Sequence, residues 1–110
     1  MPTELEELSR TVVRFRDERN WKQFHNPKDL ALALSIEAAE LNEAFLWKRA
    51  EEADGKRVRE ELADVLIYAL LLAHEQGLDI KTIVLEKMAV NAQRYSVEKS
   101  KDSAKKYTEF

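Results

Sequence analysis

The sequence predicts an all-α protein built from four helices. Two glycines and two prolines in 110 residues leave few positions for sharp turns, so the elements between the turns must be long. Apolar residues recur at the three- and four-residue spacing of one helix face, as in the run Leu5, Leu8, Val12 and Phe15. A strand-like alternation at 30–34 consists of leucine and alanine, which are good helix formers.

The first helix is predicted to begin at a capping box. Thr3 and Glu6 have the spacing at which a side-chain hydroxyl and a carboxylate cap each other's backbone, and the helical pattern continues to about Arg19. The segment that follows, NWKQFHNP at 20–27, is predicted to be a loop. Its final Asn-Pro pair supplies an N-cap and a first-turn proline for the second helix.

The remaining predicted helices span 27–52, 56–76 and 80–95. The second helix is extended to about Glu52 because its apolar pattern continues without a breaker. Asp54-Gly55 forms the next turn, Gly77 lies at the C-cap position of the third helix, and Asp79 caps the fourth. Residues 96–110 are polar and lack periodicity, which predicts an irregular tail. There is no repeat, so we expect a single domain over 1–110.

Composition excludes several classes of protein. The absence of cysteine excludes disulfides and thiolate metal sites. A net charge of −3 argues against generic binding to nucleic acid polymers or anionic membranes. No signal pattern opens the chain, and the longest apolar run, Leu62–Ala73, is too short to span a bilayer and contains Asp64. A soluble, cytoplasmic protein is expected.

The second and third helices are apolar almost all round, which in one small chain leaves surface that the other helices do not cover. Large apolar patches are rare on soluble monomers, so we expect a homo-oligomer. A monomeric bundle with an exposed patch is the alternative. The apolar helices are compatible with a dimer or a tetramer.

Two pairs of acidic residues stand out within these apolar helices. Glu37 and Glu40 on the second helix, and Glu61 and Asp64 on the third, are each three residues apart and therefore share a helix face. Four converging carboxylates repel one another strongly unless some are protonated or a cation lies among them. Oxygen ligands favour a hard ion, so Mg²⁺ or Mn²⁺ is predicted.

A single ExxE motif is ordinarily a solvated or salt-bridged helix face, because glutamate is a good helix former anywhere. Two matched pairs on adjacent apolar helices favour the cation site instead. A ferritin-like di-iron site needs Glu-x-x-His motifs, and neither His25 nor His74 has a glutamate three residues before it. The residue pattern therefore disfavours redox iron chemistry.

Longer segments carry a more specific resemblance. The words WKQFHNPKDLALAL, ELNEAFLWK, EELADVLIYALLLA, VLEKMAVNAQRY and KKYTE, with ExxE followed by ExxD, resemble the MazG-like, all-α nucleoside triphosphate pyrophosphohydrolases. Their dCTP pyrophosphatase branch is the most similar. Two departures are Ala39, where a glycine is common, and a shorter turn around Asp54-Gly55 than in the animal enzymes. The shorter turn affects the mouth of the pocket and hence the preferred base.

The resemblance implies a four-helix MazG-like bundle, a tetramer built from two dimers, and a set of site residues. The four acids hold Mg²⁺ and are the catalytic group. The two tryptophans sandwich the base with a histidine beside them, a tyrosine one turn after Asp64 touches the sugar or packs beneath it, and a polar stripe on the fourth helix contacts phosphates and sugar. The implied substrate-binding residues are Trp21, His25, Trp47, Tyr68, Lys87, Asn91, Arg94 and Tyr95.

The expected activity is Mg²⁺-dependent hydrolysis of a nucleoside triphosphate, dCTP or a modified dCTP, to the monophosphate and pyrophosphate, in nucleotide-pool housecleaning. Two alternatives are a non-catalytic helical module that binds nucleotide or protein, and a pyrophosphohydrolase of the phosphoribosyl-ATP type. The sequence leaves open the preferred base and the number of metal ions, one or two.

Overall fold

A computed structural model of the protein describes residues 1–109, and this part of the chain contains helices and no strand. The α-helices are α1 (Glu4–Glu18), α2 (Pro27–Glu43), α3 (Gly55–Glu75), α4 (Ile80–Arg94) and α5 (Val97–Ser100). Short 3₁₀ helices lie at Trp21–Phe24, Ala50–Glu52 and Tyr107–Glu109. The predicted all-α class is confirmed. None of these helices is both long and apolar enough to span a bilayer within residues 1–109.

The chain forms two compact units, the first ending at Gly77 and the second beginning at Leu78. The first unit contains α1, α2 and α3, and the second contains α4 and α5. A single domain over the whole chain stays a prediction. The last residue of the predicted tail, Phe110, lies outside the described residues.

The capping residues that the sequence identified begin the helices as predicted. The backbone N–H of Glu6 donates to the Thr3 hydroxyl at 3.1 Å, and the Glu6 carboxylate accepts from the backbone of Thr3. The Asn26 side chain accepts from the backbone N–H at position 29 at 2.8 Å, and Asp79 accepts from that of Thr82 at 3.0 Å. Each cap satisfies a backbone donor that has no partner within its helix. Gly77 follows α3 with φ +65°, where glycine carries no steric penalty.

Helix α3 packs along α2 and contacts α1. The apolar side chains that this packing buries are few: Leu30, Ala44, Leu70, Leu71 and Ala73. Many large apolar side chains of the same helices stay exposed, including Leu32, Ile36, Leu62 and Leu66. The first unit therefore has a small core beside a wide apolar surface.

The prediction for the end of the second helix is wrong. Helix α2 ends at Glu43, nine residues before the predicted end. The next amides bond to carbonyls three residues back, from Phe45 to Asn42 at 3.0 Å for example, so the chain tightens out of the α-helix. Trp47 then takes φ +61°, a left-handed conformation that bulky residues rarely adopt. The stretch Ala50–Glu52 forms a separate turn.

Two segments predicted to be irregular have short helical structure. The predicted loop at 20–27 contains the 3₁₀ helix Trp21–Phe24, which follows Asn20 in the left-handed region at φ +54°. The predicted irregular tail contains α5, capped by the Ser96 hydroxyl, and the turn Tyr107–Glu109. These turns are too short to produce a periodic apolar pattern, so periodicity does not detect them.

Candidate functional site

An acidic cluster lies where α2 packs along α3. Glu37 of α2 and Glu61 and Asp64 of α3 each offer a carboxylate oxygen, and these oxygens lie within 4.8 Å of one another. All three side chains are half-buried. Because of the three-residue spacing, the two acids of each pair lie on the side of their helix that faces the other helix. The packing of α2 along α3 then brings the two pairs together.

Glu40, the fourth predicted acid, lies one turn after Glu37 on the same face and is half-buried. Its oxygens are not part of the group within 4.8 Å. Hydrogen bonding with Glu40, followed by its negative charge, nevertheless raises the pKa of both Glu37 and Glu61. The structure therefore places Glu40 beside the other three acids and in electrostatic contact with them.

The cluster has an excess of negative charge. Burial, then Glu40, then the acids of α3 raise the pKa of Glu37 to about 7. Burial and Glu40 raise the pKa of Glu61 as well. Among the described residues, one oxygen each of Glu37 and Glu61 is buried with no hydrogen-bond partner. Unpartnered carboxylate oxygens that converge are the donor set that Mg²⁺ or Mn²⁺ prefers, so the cluster fits a hard divalent cation.

Arg57 is a neighbour of the cluster that the sequence analysis missed. Its guanidinium lies 3.6 Å from a carboxylate oxygen of Glu43, which joins the last turn of α2 to the start of α3. Its positive charge opposes the rise in the pKa of Glu61. The sequence does hold a signal for this proximity: Arg57 precedes Glu61 by four residues, and residues four apart on a helix share one face.

Tyr68 and His25 lie next to each other beside the acids. Burial, followed by the charges of Glu37, Asp64 and Glu40, raises the pKa of Tyr68, so its phenol stays protonated. The ring centroids of His25 and Tyr68 are 6.4 Å apart with the planes at 62°. His25 Nδ1 is buried and has no hydrogen-bond partner within residues 1–109. The structure thus brings His25 next to the tyrosine that adjoins the predicted metal ligands.

The two tryptophans are accessible and separate. Trp21 is 43% exposed and packs edge-on against Phe15 with centroids 5.9 Å apart. The Arg19 guanidinium lies 3.5 Å from the Phe15 ring centroid, which adds a cation–π contact. Trp47 is 94% exposed. In the part of the chain that the structure describes, no ring contact joins the two indoles, so a base sandwich between them stays a prediction.

The predicted stripe on α4 lies in the second unit. Lys87 and Arg94 are exposed, and Asn91 and Tyr95 are half-buried, with Tyr95 just past the last helical residue. The Arg94 guanidinium stacks over Tyr107 at 4.5 Å from the ring centroid, and the rings of Tyr95 and Tyr107 meet edge-on at 5.9 Å. Sequence analysis missed Tyr107 because it lies in the predicted irregular tail. The substrate roles of the stripe stay predictions.

Comparison with known proteins decides the family. The model of the MazG-like family matches residues 32–110. The chain belongs to the MazG-like family. It is 42% identical to dCTP pyrophosphatase 1 of Rattus norvegicus, over 96% of this chain and 67% of that protein. It is 41% identical to dCTP pyrophosphatase 1 of Homo sapiens over the same shares.

A solved structure supports the same assignment of this MazG-like chain. The crystal structure of a pyrophosphatase from Archaeoglobus fulgidus superposes with a TM-score of 0.80 at 39% sequence identity. The match covers 87% of this chain and 95% of the archaeal one. The resemblance inferred from motifs is therefore confirmed by sequence over most of the chain and by the fold.

The acidic cluster makes the stability of the metal-free protein depend on pH. The pKa of Glu37 is raised from 4.5 to about 7, so the folded state binds more protons than the unfolded state between these values. The stability that the folded protein gains from this extra proton on Glu37 is fully present below pH 4.5 and is lost as pH rises through about 7. In EDTA, we expect the melting temperature of the wild-type protein to fall as pH rises across this interval. The Glu37→Gln variant should show a smaller fall. Excess Mg²⁺ should restore the stability of the wild-type protein above about pH 7.

The matched control for this experiment is Glu60→Gln. Glu60 neighbours Glu61 but is exposed, with Lys56 as a loose ion-pair partner at 3.9 Å. This variant should keep the wild-type dependence on pH. An equal flattening in both variants would show that the acidic cluster is not the origin of the effect.

Proposed function

We propose that this MazG-like chain hydrolyses the α–β phosphoanhydride of dCTP, or of a dCTP modified on the base, and releases the monophosphate and pyrophosphate. The chain is a nucleotide pyrophosphohydrolase with a role in nucleotide-pool housecleaning, as its family and its relatives over 96% of its length indicate. The observation that carries the proposal is the acidic cluster of Glu37, Glu61 and Asp64, whose converging oxygens suit a metal-dependent phosphate reaction. One oxygen each of Glu37 and Glu61 is buried without a hydrogen-bond partner among the described residues.

Mg²⁺ is the proposed cofactor, with Mn²⁺ as a substitute, and its ligands are Glu37, Glu40, Glu61 and Asp64. When bound, the ion supplies positive charge to the phosphate oxygens and acidifies water. The protein contributes carboxylates already collected between α2 and α3. Arg57 offsets part of their mutual repulsion from the side of Glu43.

The proposed reaction is a direct displacement by water. The water oxygen forms a bond to the α-phosphorus. As it does so, the water gives a proton to a carboxylate oxygen of the cluster. The bond between the α-phosphorus and the bridging oxygen breaks, and pyrophosphate leaves with the electron pair. No covalent intermediate with the protein is required.

The proposed base contacts come from the aromatic residues of the first unit. Trp21 and Trp47 are exposed indoles, and stacking on indole favours any base. Selectivity therefore depends on hydrogen bonds at the base edge, for which His25 is the proposed partner. The phenol of Tyr68, kept protonated beside the acids, is the proposed contact to the sugar or support for His25, whose ring it meets.

The proposed phosphate and sugar contacts come from α4. Lys87 and Arg94 are exposed cations suited to phosphate oxygens, and Asn91 and Tyr95 belong to the same stripe. Stacking of Arg94 on Tyr107 leaves the edge of the guanidinium available for hydrogen bonds in its plane.

Assembly into a homo-oligomer, a tetramer made of two dimers, is part of the proposal. The apolar surface of α2 and α3 supports it: Leu66, for example, is 55% exposed and Leu32 is 57% exposed. Exposed apolar area on this scale is uncommon in stable monomers and ordinary at subunit interfaces.

Product analysis with a panel of nucleotides tests the activity. With Mg²⁺ present, we expect dCTP or a base-modified dCTP to give the monophosphate and pyrophosphate faster than other triphosphates. Asp64→Asn should lower kcat about a thousandfold, because loss of metal charge costs several kcal/mol of transition-state stabilisation. Circular dichroism should show an unchanged helical fold.

Glu60→Gln is again the matched control, since it changes an exposed acid on the same helix and should keep wild-type turnover. Wild-type turnover by Asp64→Asn at equal Mg²⁺ would contradict the proposed metal site. Turnover of phosphoribosyl-ATP but not of triphosphates, or nucleotide binding without turnover, would support one of the alternative functions.

Removal of the exposed indole tests base stacking. Because stacking is worth about 1–3 kcal/mol per base, Trp47→Ala should raise KM for every triphosphate by about tenfold to a hundredfold, with a smaller loss in kcat. The melting temperature should stay near wild type or rise, since the side chain is 94% exposed. Trp47→Phe, which keeps a ring, should retain most of the affinity. A lowered melting temperature with unchanged KM would instead make Trp47 a structural residue.

Analytical ultracentrifugation tests the assembly. The active species is expected to sediment as a multiple of the 12.8 kDa chain, and Leu66→Glu should dissociate it because a charge is placed on a desolvated apolar face. Lys81→Glu, an exposed change on α4, controls for the added charge. A stable and fully active wild-type monomer would refute the proposed oligomer.

A further inference from the structure

The segment KKYTE at 105–109 carries part of the family resemblance, and the proposed reaction gives it no role. Within it, Tyr107–Glu109 forms a 3₁₀ turn. The backbone N–H of Glu109 donates to the carbonyl of Lys106 at 2.8 Å, and the backbone N–H of Lys106 donates to the Glu109 carboxylate at 3.2 Å. These reciprocal bonds give the turn a defined shape, as a capping box does for the start of a helix.

The chain between α4 and this turn folds back on itself inside the second unit. Helix α5 is capped by the Ser96 hydroxyl, which accepts from a backbone N–H of its first turn at 3.4 Å. Asp102 then adopts φ +63°, which aspartate tolerates better than most residues. The backbone N–H of Ser103 donates to the Ser100 carbonyl at 3.0 Å. By this path the chain returns to the C-terminal end of α4.

Two residues at that end of α4 contact the ring of Tyr107. The guanidinium carbon of Arg94 lies over the ring, 4.5 Å from its centroid. The ring of Tyr95 meets it edge-on, with centroids 5.9 Å apart and the planes at 86°. A cation over an aromatic face and an edge-to-face aromatic pair are both favourable contacts. One side chain of the tail thus holds two members of the α4 stripe.

Arg94 differs from several other arginines in the kind of partner it has. Arg16, Arg49 and Arg57 each pair with a carboxylate. Within residues 1–109, Arg94 has no carboxylate at ion-pair distance, and its guanidinium stacks on Tyr107 instead. Stacking uses the flat face of a guanidinium and leaves the N–H donors at its edge available to an anion. Arg94 is therefore held in place without having its charge neutralised.

A guanidinium that is already held in place binds phosphate better than a mobile one. A long arginine side chain loses rotamer freedom when it binds, and this loss weakens binding. A ring that fixes the guanidinium beforehand removes part of the loss. In the proposed reaction the metal ligands serve the α-phosphate, so the β and γ phosphates need cations from elsewhere in the chain.

We propose that Tyr107 is a positioning residue that fixes the guanidinium of Arg94 for the β and γ phosphates of the nucleotide. This inference rests on the proposed function, in which Arg94 contacts phosphate. Tyr107 acts through Arg94 and does not itself touch substrate. Affinity for the triphosphate, and not for the monophosphate, therefore depends on the C-terminal turn.

Calorimetric binding to the intact chain in Mg²⁺ tests this role without turnover. The probes are dCMP and the α,β-imido analogue of dCTP, whose bridging nitrogen resists hydrolysis. Tyr107→Ala should weaken binding of the analogue about threefold to tenfold, through loss of the cation–π contact and of preorganisation, and leave dCMP binding unchanged. Tyr107→Phe keeps the ring and should bind both ligands as wild type does. Thr108→Ala, an exposed change in the same turn, is the matched control and should do the same.

A double-mutant cycle shows whether the effect passes through Arg94. Arg94→Ala alone should weaken binding of the analogue about tenfold to a hundredfold, because a charged hydrogen-bond donor is lost. Adding Tyr107→Ala to this variant should cause no further loss. Tyr107→Leu keeps an apolar side chain against Tyr95 and should still weaken the analogue as Tyr107→Ala does, which separates stacking from packing.

Four results would overturn the role of Tyr107. These are equal weakening of dCMP and the analogue, wild-type affinity in both Tyr107→Ala and Tyr107→Leu, weakened binding in Tyr107→Phe, and additive losses in the double variant.

The two proposals fail separately. Absence of turnover of every triphosphate, with the expected binding of the analogue in all variants, would reject the proposed reaction and leave the role of Tyr107 standing. Normal dCTP turnover by the wild-type chain, with unchanged binding of the analogue in Tyr107→Ala and Tyr107→Leu, would reject the role of Tyr107 alone.

Discussion

Repulsion among carboxylates at the contact of α2 and α3 is the constraint on which the rest of this structure depends. The two helices supply the best-packed interface of the first unit, and the same interface holds Glu37, Glu61 and Asp64 with too few positive charges to balance them. Folding therefore works against function at this point, because apolar contacts must hold together groups that repel. A bound proton or a bound cation can reduce this repulsion, and the cation is the solution that the proposed metal-dependent reaction uses.

Local chemistry in the sequence was sufficient to predict most of the fold. Thr3, Asn26 and Asp79 begin their helices as predicted because a cap depends on a few adjacent residues. The end of α2 was not predictable in this way, since the left-handed residue that follows it is a tryptophan, where glycine would be the usual signal. The acidic cluster was foreseen because three-residue spacing fixes a helix face and two apolar helices of one small chain must pack.

Some contacts of the first unit, one of them at the candidate site, have no spacing that reveals them. Arg16 of α1 pairs with Glu75 of α3, 59 residues away, and at the site His25 meets Tyr68 from a segment predicted to be an irregular loop. Neither pair has a periodic or motif signature, so each appears only when the three helices are assembled. The α4 stripe shows the opposite case: its spacing was clear, but its stacking partner Tyr107 came from the tail.

With the proposed stacking role, the backbone of Trp47 places stability and activity in competition at one position. A bulky residue in the left-handed region costs about 1–2 kcal/mol relative to a relaxed conformation, and this side chain gains little from burial to offset the cost. Glycine would relieve the strain and remove the indole. Directed evolution for heat resistance alone should thus enrich glycine or asparagine at position 47, whereas selection for clearance of nucleotides at low concentration should retain the strained aromatic residue.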